Sequence, residues 1–186
     1  MANLYQNRFR IESARATWHD YNGGIYFITI CTAHKVCKFG HITNGEIFLN
    51  PLGQLISTLL KEVHIHHPYA CIPLYVVMPN HIHAIICIDG DCEYLISRKT
   101  ISAECSSGIE KNMRQIARSK GLLSIVVGGI KSATTAYAHR NNINFVWQTR
   151  FHDHLIRNQE ECNRISDYIE HNPLYWANDC FYQSGL

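Results

Sequence analysis

The stretch Tyr75-Val-Val-Met-Pro-Asn-His-Ile-His-Ala-Ile-Ile-Cys-Ile-Asp89 narrows the choice of fold more than any other part of the chain. Two short apolar runs of strand length are separated by Pro79-Asn80, a dipeptide that interrupts regular structure. Side chains alternate faces along a strand, so His81 and His83 project to one side and Ile82 to the other. Ile82 is thereby expected in the core, and the two imidazoles are placed to share one cation. A histidine at a strand end serves equally well as a hydrogen-bonded surface residue, so the pair needs support from elsewhere in the chain.

With 186 residues, 46% of them hydrophobic, the chain is the right size for one domain, 1–186, with a core of its own. A charged fraction of 17% argues against wholesale disorder. No apolar run reaches the roughly 18 residues of a membrane span. Met1-Ala-Asn-Leu-Tyr-Gln-Asn-Arg8 also lacks the apolar stretch of a signal peptide, so a cytoplasmic protein is expected. None of the eight cysteines forms a C-x-x-C pair, and several fall inside apolar strand patterns where Cys acts as a small hydrophobe. That usage speaks against a zinc knuckle or a disulfide framework. A net charge of +2 announces no nucleic-acid partner by itself, so any basic surface has to be local.

Residues 1–22, with Arg8, Arg10 and Arg15, read as a solvated arm. Ile25-Tyr-Phe-Ile-Thr-Ile-Cys-Thr32 is rich in β-branched and aromatic residues and reads as a strand. Phe39-Gly-His-Ile-Thr-Asn-Gly-Glu-Ile-Phe-Leu49 reads as a hairpin turning at Asn44-Gly45. Asn50 then caps a helix with Pro51 at its first position. Leu52, Leu55, Ile56, Leu59, Leu60 and Val63 follow at helical spacing, and the helix ends in His64-Ile-His-His-Pro68. Those histidines suit a helix C-terminus better than a metal. Strands over 72–78 and 81–89 come next, and then a polar insertion, 90–120, expected to be partly disordered. A helix is expected over 122–140, its Gly128-Gly129 pair permitting a close approach. An extended segment over 145–156 and a final helix over 159–171, stopped by Pro173, complete the order. The order predicts an α+β, ferredoxin-like (RRM-like) sandwich: an antiparallel sheet with helices on one face, plus a C-terminal helix that carries a tyrosine.

On that last helix Tyr168 and Asn172 stand four residues apart and share a face. A phenol there suits a nucleophile and an amide oxygen suits a hard cation, although packing and capping account for each taken singly. The motifs in sequence are Tyr26-Phe-Ile-Thr-Ile-Cys-Thr32, Phe39-Gly40, Met78-Pro-Asn-His-Ile-His83, Ile130-Lys-Ser132, Val146-Trp-Gln148, Phe151-His-Asp-His-Leu-Ile-Arg157 and Asp167-Tyr-Ile-Glu-His-Asn-Pro173 with Trp176. In this order they resemble the single-tyrosine HUH transposases, in particular the REP-associated tyrosine transposases. The resemblance covers nearly the whole chain outside the N-terminal arm and the polar insertion.

The resemblance implies a metal-dependent endonuclease and strand transferase that cleaves single-stranded DNA near hairpins through a 5′-phosphotyrosine. It matches Tyr168 to the catalytic tyrosine, His81 and His83 to metal ligands, and Asn172 to a third ligand, with Mg²⁺ or Mn²⁺ as the cofactor. Homodimer and monomer both stay open, since such proteins occur as either. For the DNA itself, Lys131, Arg140, Arg150 and Arg157 are candidates to hold phosphates, and Trp147, Phe151 or Tyr137 to stack on bases. Two rivals have residues of their own. If His152 and His154 converged with His81 and His83, four histidines would favour zinc and a hydrolase. A ferredoxin-like sheet also serves non-catalytic nucleic-acid binding.

Overall fold

The computed structural model describes residues 23–93 and 121–182. The N-terminal arm and most of the polar insertion, 94–120, lie outside the described residues. The elements run β1 (Gly24–Cys31), β2 (Gly40–Thr43), β3 (Glu46–Leu49), α1 (Pro51–Lys61), α2 (Val63–His66), β4 (Ala70–Val77), β5 (His81–Ile88), α3 (Leu122–Arg140), β6 (His152–Leu155) and α4 (Gln159–His171). A 3₁₀ segment, Asn172–Asn178, continues from α4.

Four strands form one antiparallel sheet in the order β4-β5-β1-β6. Two strand–helix–strand crossovers thus interleave so that the first and fifth strands lie at the centre, the arrangement expected of a ferredoxin-like sandwich. On one face Tyr26, Ile28 and Ile30 of β1 and Ile82, Ala84 and Ile86 of β5 are wholly buried, in a core shared with Leu52, Ile56 and Leu60 of α1 and Leu123, Val126 and Ile130 of α3. Burying a side chain the size of Ile82 contributes about 1.5–3 kcal/mol. On the opposite face α4 packs over β4 and β5, closing a smaller cluster of Ile85, Ile156 and Ile169. The register places Thr29 opposite His83 and Cys31 opposite His81, so both histidines face this second side.

Local sequence accounts for the turns. Asn44 and Gly45 both adopt positive φ, 54° and 79°, the backbone of a two-residue hairpin turn that Asn-Gly favours. Asn50 caps α1, its Oδ1 accepting from Gly53 N at 3.0 Å. At Gly129 an added Cβ would lie 2.8 Å from His67 Nε2, so the absent side chain leaves room for the histidine that follows α2. Among the described residues no helix is long and apolar enough to cross a membrane.

Two expectations are corrected. The helix from Pro51 does not run unbroken to the histidines: Glu62, at φ −101° and ψ 17°, divides it into α1 and α2. The segment 145–156 is not one long strand. Only His152–Leu155 pairs along the sheet, with an isolated bridge from Trp147 to Thr32. Phe145 and Trp147 instead turn inward onto Phe39, with ring centroids 5.7 and 5.4 Å away. Burial of two large rings outweighs continued strand pairing.

Candidate metal and tyrosine site

β5 presents His81 and His83 toward α4 with ring centroids 4.5 Å apart. Helix α4 brings Tyr168 over them, its hydroxyl 3.1 Å from His83 Nε2. The other nitrogen of His83 meets Thr29 Oγ1 of β1 at 2.9 Å. His81 Nδ1 lies 2.8 Å from Asn80 Oδ1. Asn172, helical at φ −53° and ψ −39° and buried, keeps the four-residue spacing that sets it beside Tyr168.

One residue enters that sequence reasoning missed. Asp179, just beyond the 3₁₀ segment, is folded back so that one ligand atom from each of His81, His83 and Asp179 lies within 4.8 Å of the others. Its Oδ2 accepts from Asn172 Nδ2 at 3.2 Å and lies 3.9 Å from His81 Nε2. Its Oδ1 accepts from Phe181 N at 2.7 Å. No periodicity ties Asp179 to a histidine pair nearly a hundred positions earlier. The chain reversal that brings it there is a tertiary event.

Aromatic rings wall the site. Phe27 stacks on His83 at 5.3 Å, Phe181 lies 4.5 Å from His81, and Trp176 lies 6.0 Å from it. This dry surround governs the charges. Burial, with Lys35 nearby, pushes His81 down to about 3. His83 falls to about 3 for the same reason and because of His81, while Asp179 and a hydrogen bond to the Ile28 backbone partly oppose the shift. Both imidazoles are therefore neutral at pH 7, the form that coordinates a metal. Tyr168 is pushed up to about 12, by burial first and then by Asp179 and Cys180, with a hydrogen bond from Asn172 working in the other direction.

The residues fit a cation on one further observation. His81 Nε2 and Asn172 Oδ1 are buried with no hydrogen-bond partner. Leaving such an atom unpaired costs about 1–3 kcal/mol. Two orphaned atoms beside a carboxylate form the donor set that an oxygen- and nitrogen-seeking divalent ion satisfies.

The residues considered for DNA are scattered more widely. Arg140 ends α3, and Arg150 and Arg157 flank β6; all three are exposed. Lys131 directs its ammonium to the carbonyls of Gln148 and Thr149, at 2.6 and 3.2 Å. Trp147 is buried and donates its indole N–H to Lys131 O at 3.1 Å. Tyr137 and Phe151 pack against the main core as partly buried side chains. The convergence of four histidines required for a zinc hydrolase is not seen: His154 is exposed and bonded to Glu161 Oε1 at 2.8 Å, away from the group formed by His81, His83 and Asp179.

No protein-family profile matches the chain. A protein of Haemophilus influenzae of uncharacterized function is 32% identical over 176 residues, covering 92% of each chain. A second protein of that organism, named as a REP-associated tyrosine transposase, is 22% identical over 153 residues, covering 82% of this chain and 71% of its own. Among solved structures, a REP-associated tyrosine transposase bound to a REP hairpin superposes with a TM-score of 0.54 at 20% identity, covering 87% of this chain and 73% of that one. The chain thus resembles the REP-associated tyrosine transposases, in sequence over most of its length and in fold. In this chain His81, His83 and Tyr168 meet on the face of the sheet that α4 covers.

Proposed function

We propose that the protein is a transposase-type strand transferase that cleaves and rejoins single-stranded DNA near hairpins. Tyr168 is the nucleophile, and a divalent cation, Mg²⁺ or Mn²⁺, is held by His81, His83 and Asn172, with Asp179 as a further ligand. The observation that carries this reading is the approach of Tyr168 Oη to His83 Nε2 at 3.1 Å, inside a pocket that also holds the orphaned Nε2 of His81. Hairpin DNA is the substrate class because a structural neighbour was solved with a REP hairpin.

A cation in this pocket would supply Lewis-acid polarisation of the scissile phosphate and stabilise its developing charge. The remaining chemistry belongs to the chain. Tyr168 enters the reaction protonated, since its phenol is pushed up to about 12, and must shed that proton as it attacks. Its oxygen forms a bond to phosphorus, the bond from phosphorus to the 3′-oxygen breaks, and the proton lost by the phenol is balanced by the one that the departing oxygen takes up to become a 3′-hydroxyl. A phosphodiester has been exchanged for a phosphotyrosine diester, so the reverse attack rejoins a strand without ATP. His83 Nε2, which the Tyr168 hydroxyl meets at 3.1 Å, would be one of the nitrogens that hold the cation, so the phenol stands beside the place where the scissile phosphate would be polarised. The ring contact with Phe27, 6.1 Å edge to face, keeps the phenol over the pocket. Arg140, Arg150 and Arg157 are proposed to hold phosphates.

The test is a denaturing gel of protein mixed with labelled single-stranded hairpin DNA, drawn from sequence flanking the gene, with Mg²⁺ or Mn²⁺ and beside Tyr168→Phe. The expected result is a covalent protein–DNA band that requires both the cation and Tyr168. Cleavage without an adduct, unchanged in Tyr168→Phe, overturns the tyrosine mechanism. Binding without cleavage under either metal favours a non-catalytic module.

A further inference from the structure

We infer that Asn80 is a positioning residue: its side-chain amide fixes the proton of His81 on Nδ1 and so makes Nε2 the bare, ligand-ready nitrogen. The consequence for a cation rests on the function proposed above, whereas the tautomer rests on hydrogen-bond geometry alone.

Asn80 is fully buried. Its Nδ2 meets Lys35 O at 2.7 Å and Phe181 O at 2.8 Å. Both partners are backbone carbonyl oxygens, which only accept, so the amide must turn its NH₂ toward them. The flipped amide would set an oxygen against two oxygens. With the NH₂ so placed, Oδ1 faces His81 Nδ1 at 2.8 Å, and an amide oxygen also only accepts. The proton therefore sits on Nδ1. A neutral imidazole carries one N–H, which leaves Nε2 with a lone pair and nothing to donate to it, in agreement with its orphaned state.

The backbone holds the amide in register. Asn80 O accepts from Thr32 N at 2.9 Å, and Pro79 O accepts from Lys38 N and Phe39 N at 2.9 and 3.0 Å. Asn80 has a second effect through the same NH₂. By binding Phe181 O it retains the segment whose Phe181 N anchors Asp179 Oδ1. One side chain thus aims His81 and keeps Asp179 beside it. Partners of this kind, which orient a ligating histidine through its other ring nitrogen, typically change metal affinity by about 10–100-fold when removed.

The experiment is a long-range ¹H–¹⁵N correlation of the histidine rings in the metal-free, ¹⁵N-labelled protein, followed by titration with Mn²⁺. Wild type is expected to show the His81 proton on Nδ1. Asn80→Leu removes the acceptor, so the proton population shifts toward Nε2 and Mn²⁺ affinity falls about 10–100-fold. Asn80→Asp keeps an acceptor against Nδ1 and preserves the tautomer, although its second oxygen opposes the Lys35 and Phe181 carbonyls and loosens the terminal segment. A wild-type proton on Nε2 overturns the inference, as does an unchanged tautomer in Asn80→Leu. Should the leucine variant fail to fold, the wild-type spectrum and Asn80→Asp decide: the Nδ1 proton is expected in both, and its absence from either overturns the inference. Absence of Mn²⁺ binding in wild type with the Nδ1 tautomer intact would remove the cation from the proposed function and leave the role of Asn80 standing.

Discussion

Tyr168→Phe removes the hydroxyl that meets His83 Nε2 at 3.1 Å and leaves the ring against Phe27. Two outcomes are expected. The covalent DNA adduct disappears, and Mn²⁺ binds roughly 2- to 10-fold more tightly, the worth of one hydrogen bond no longer competing for that nitrogen. Weaker Mn²⁺ binding in this variant would show that the phenol and the cation do not share Nε2. The histidines carry a separate prediction for the metal-free protein. Their ordinary value is 6.5 and burial lowers both to about 3. Between those limits the unfolded chain binds protons that the folded chain does not. Their contribution to stability is therefore complete above pH 6.5 and is lost progressively as the pH falls toward 3. Denaturant melts across this range should show stability falling with a slope that approaches two protons taken up on unfolding. Substituting His81 or His83 by Gln should flatten that slope. The pairing of these residues could be read from the period of a strand. The neutral state could not, because it depends on Phe27, Phe181 and Trp176 closing over the rings.

Helix α4 delivers both Tyr168 and Asn172, and its start is defined by local chemistry. Asn158 caps it, Oδ1 accepting from Glu161 N at 2.8 Å. Asn158→Ala should cost about 1 kcal/mol, seen as a lower Tm together with faster amide exchange in the first turn of α4. Unchanged exchange there would mean that packing against β4 and β5, not the cap, secures the helix. Glu161 adds a link, its carboxylate accepting from Arg157 N at 2.9 Å and from His154 Nε2 at 2.8 Å. Those two bonds, the backbone one first, hold its carboxyl below the usual carboxylate value. A depressed value stabilises the fold above the ordinary carboxylate pKa and ceases to do so as the pH falls through the lowered one. In acid the first turn of α4 should exchange before its last turns, and Glu161→Gln should remove this pH dependence. The bounds of α3 and α4 follow the sequence closely because apolar periodicity is a local signal, but Pro173 does not end the helical backbone: Asn172 keeps φ −53° and ψ −39°, and a 3₁₀ segment carries on to Asn178. The segment 145–156 did not follow the sequence, because Phe145 and Trp147 gain more from the core on Phe39 than from a straight strand.

The whole molecule is a sheet with one purely structural face and one face given to the site, and a single strand serves both. Ile82→Ala should destabilise by about 2–5 kcal/mol, to the same extent with and without Mn²⁺, because its side chain lies on the core face. A loss that Mn²⁺ repaired would show that the two faces are coupled through β5. The sequence by itself determined this division: alternation sends His81 and His83 one way and Ile82 the other, Asn44-Gly45 turns the hairpin, and a four-residue spacing joins Tyr168 to Asn172. Such features are local, fixed by backbone geometry within a few residues. Tertiary structure alone decided the rest. It brought Asp179 back against the histidines, set the Asn80 amide between the Lys35 and Phe181 carbonyls, buried Trp147, and tied the Lys131 ammonium to the Gln148 and Thr149 carbonyls. Periodicity gives the direction in which a side chain leaves its own strand or helix. Which distant segment meets it there depends on how the two faces of the sheet are covered, and that is settled only when the chain has folded.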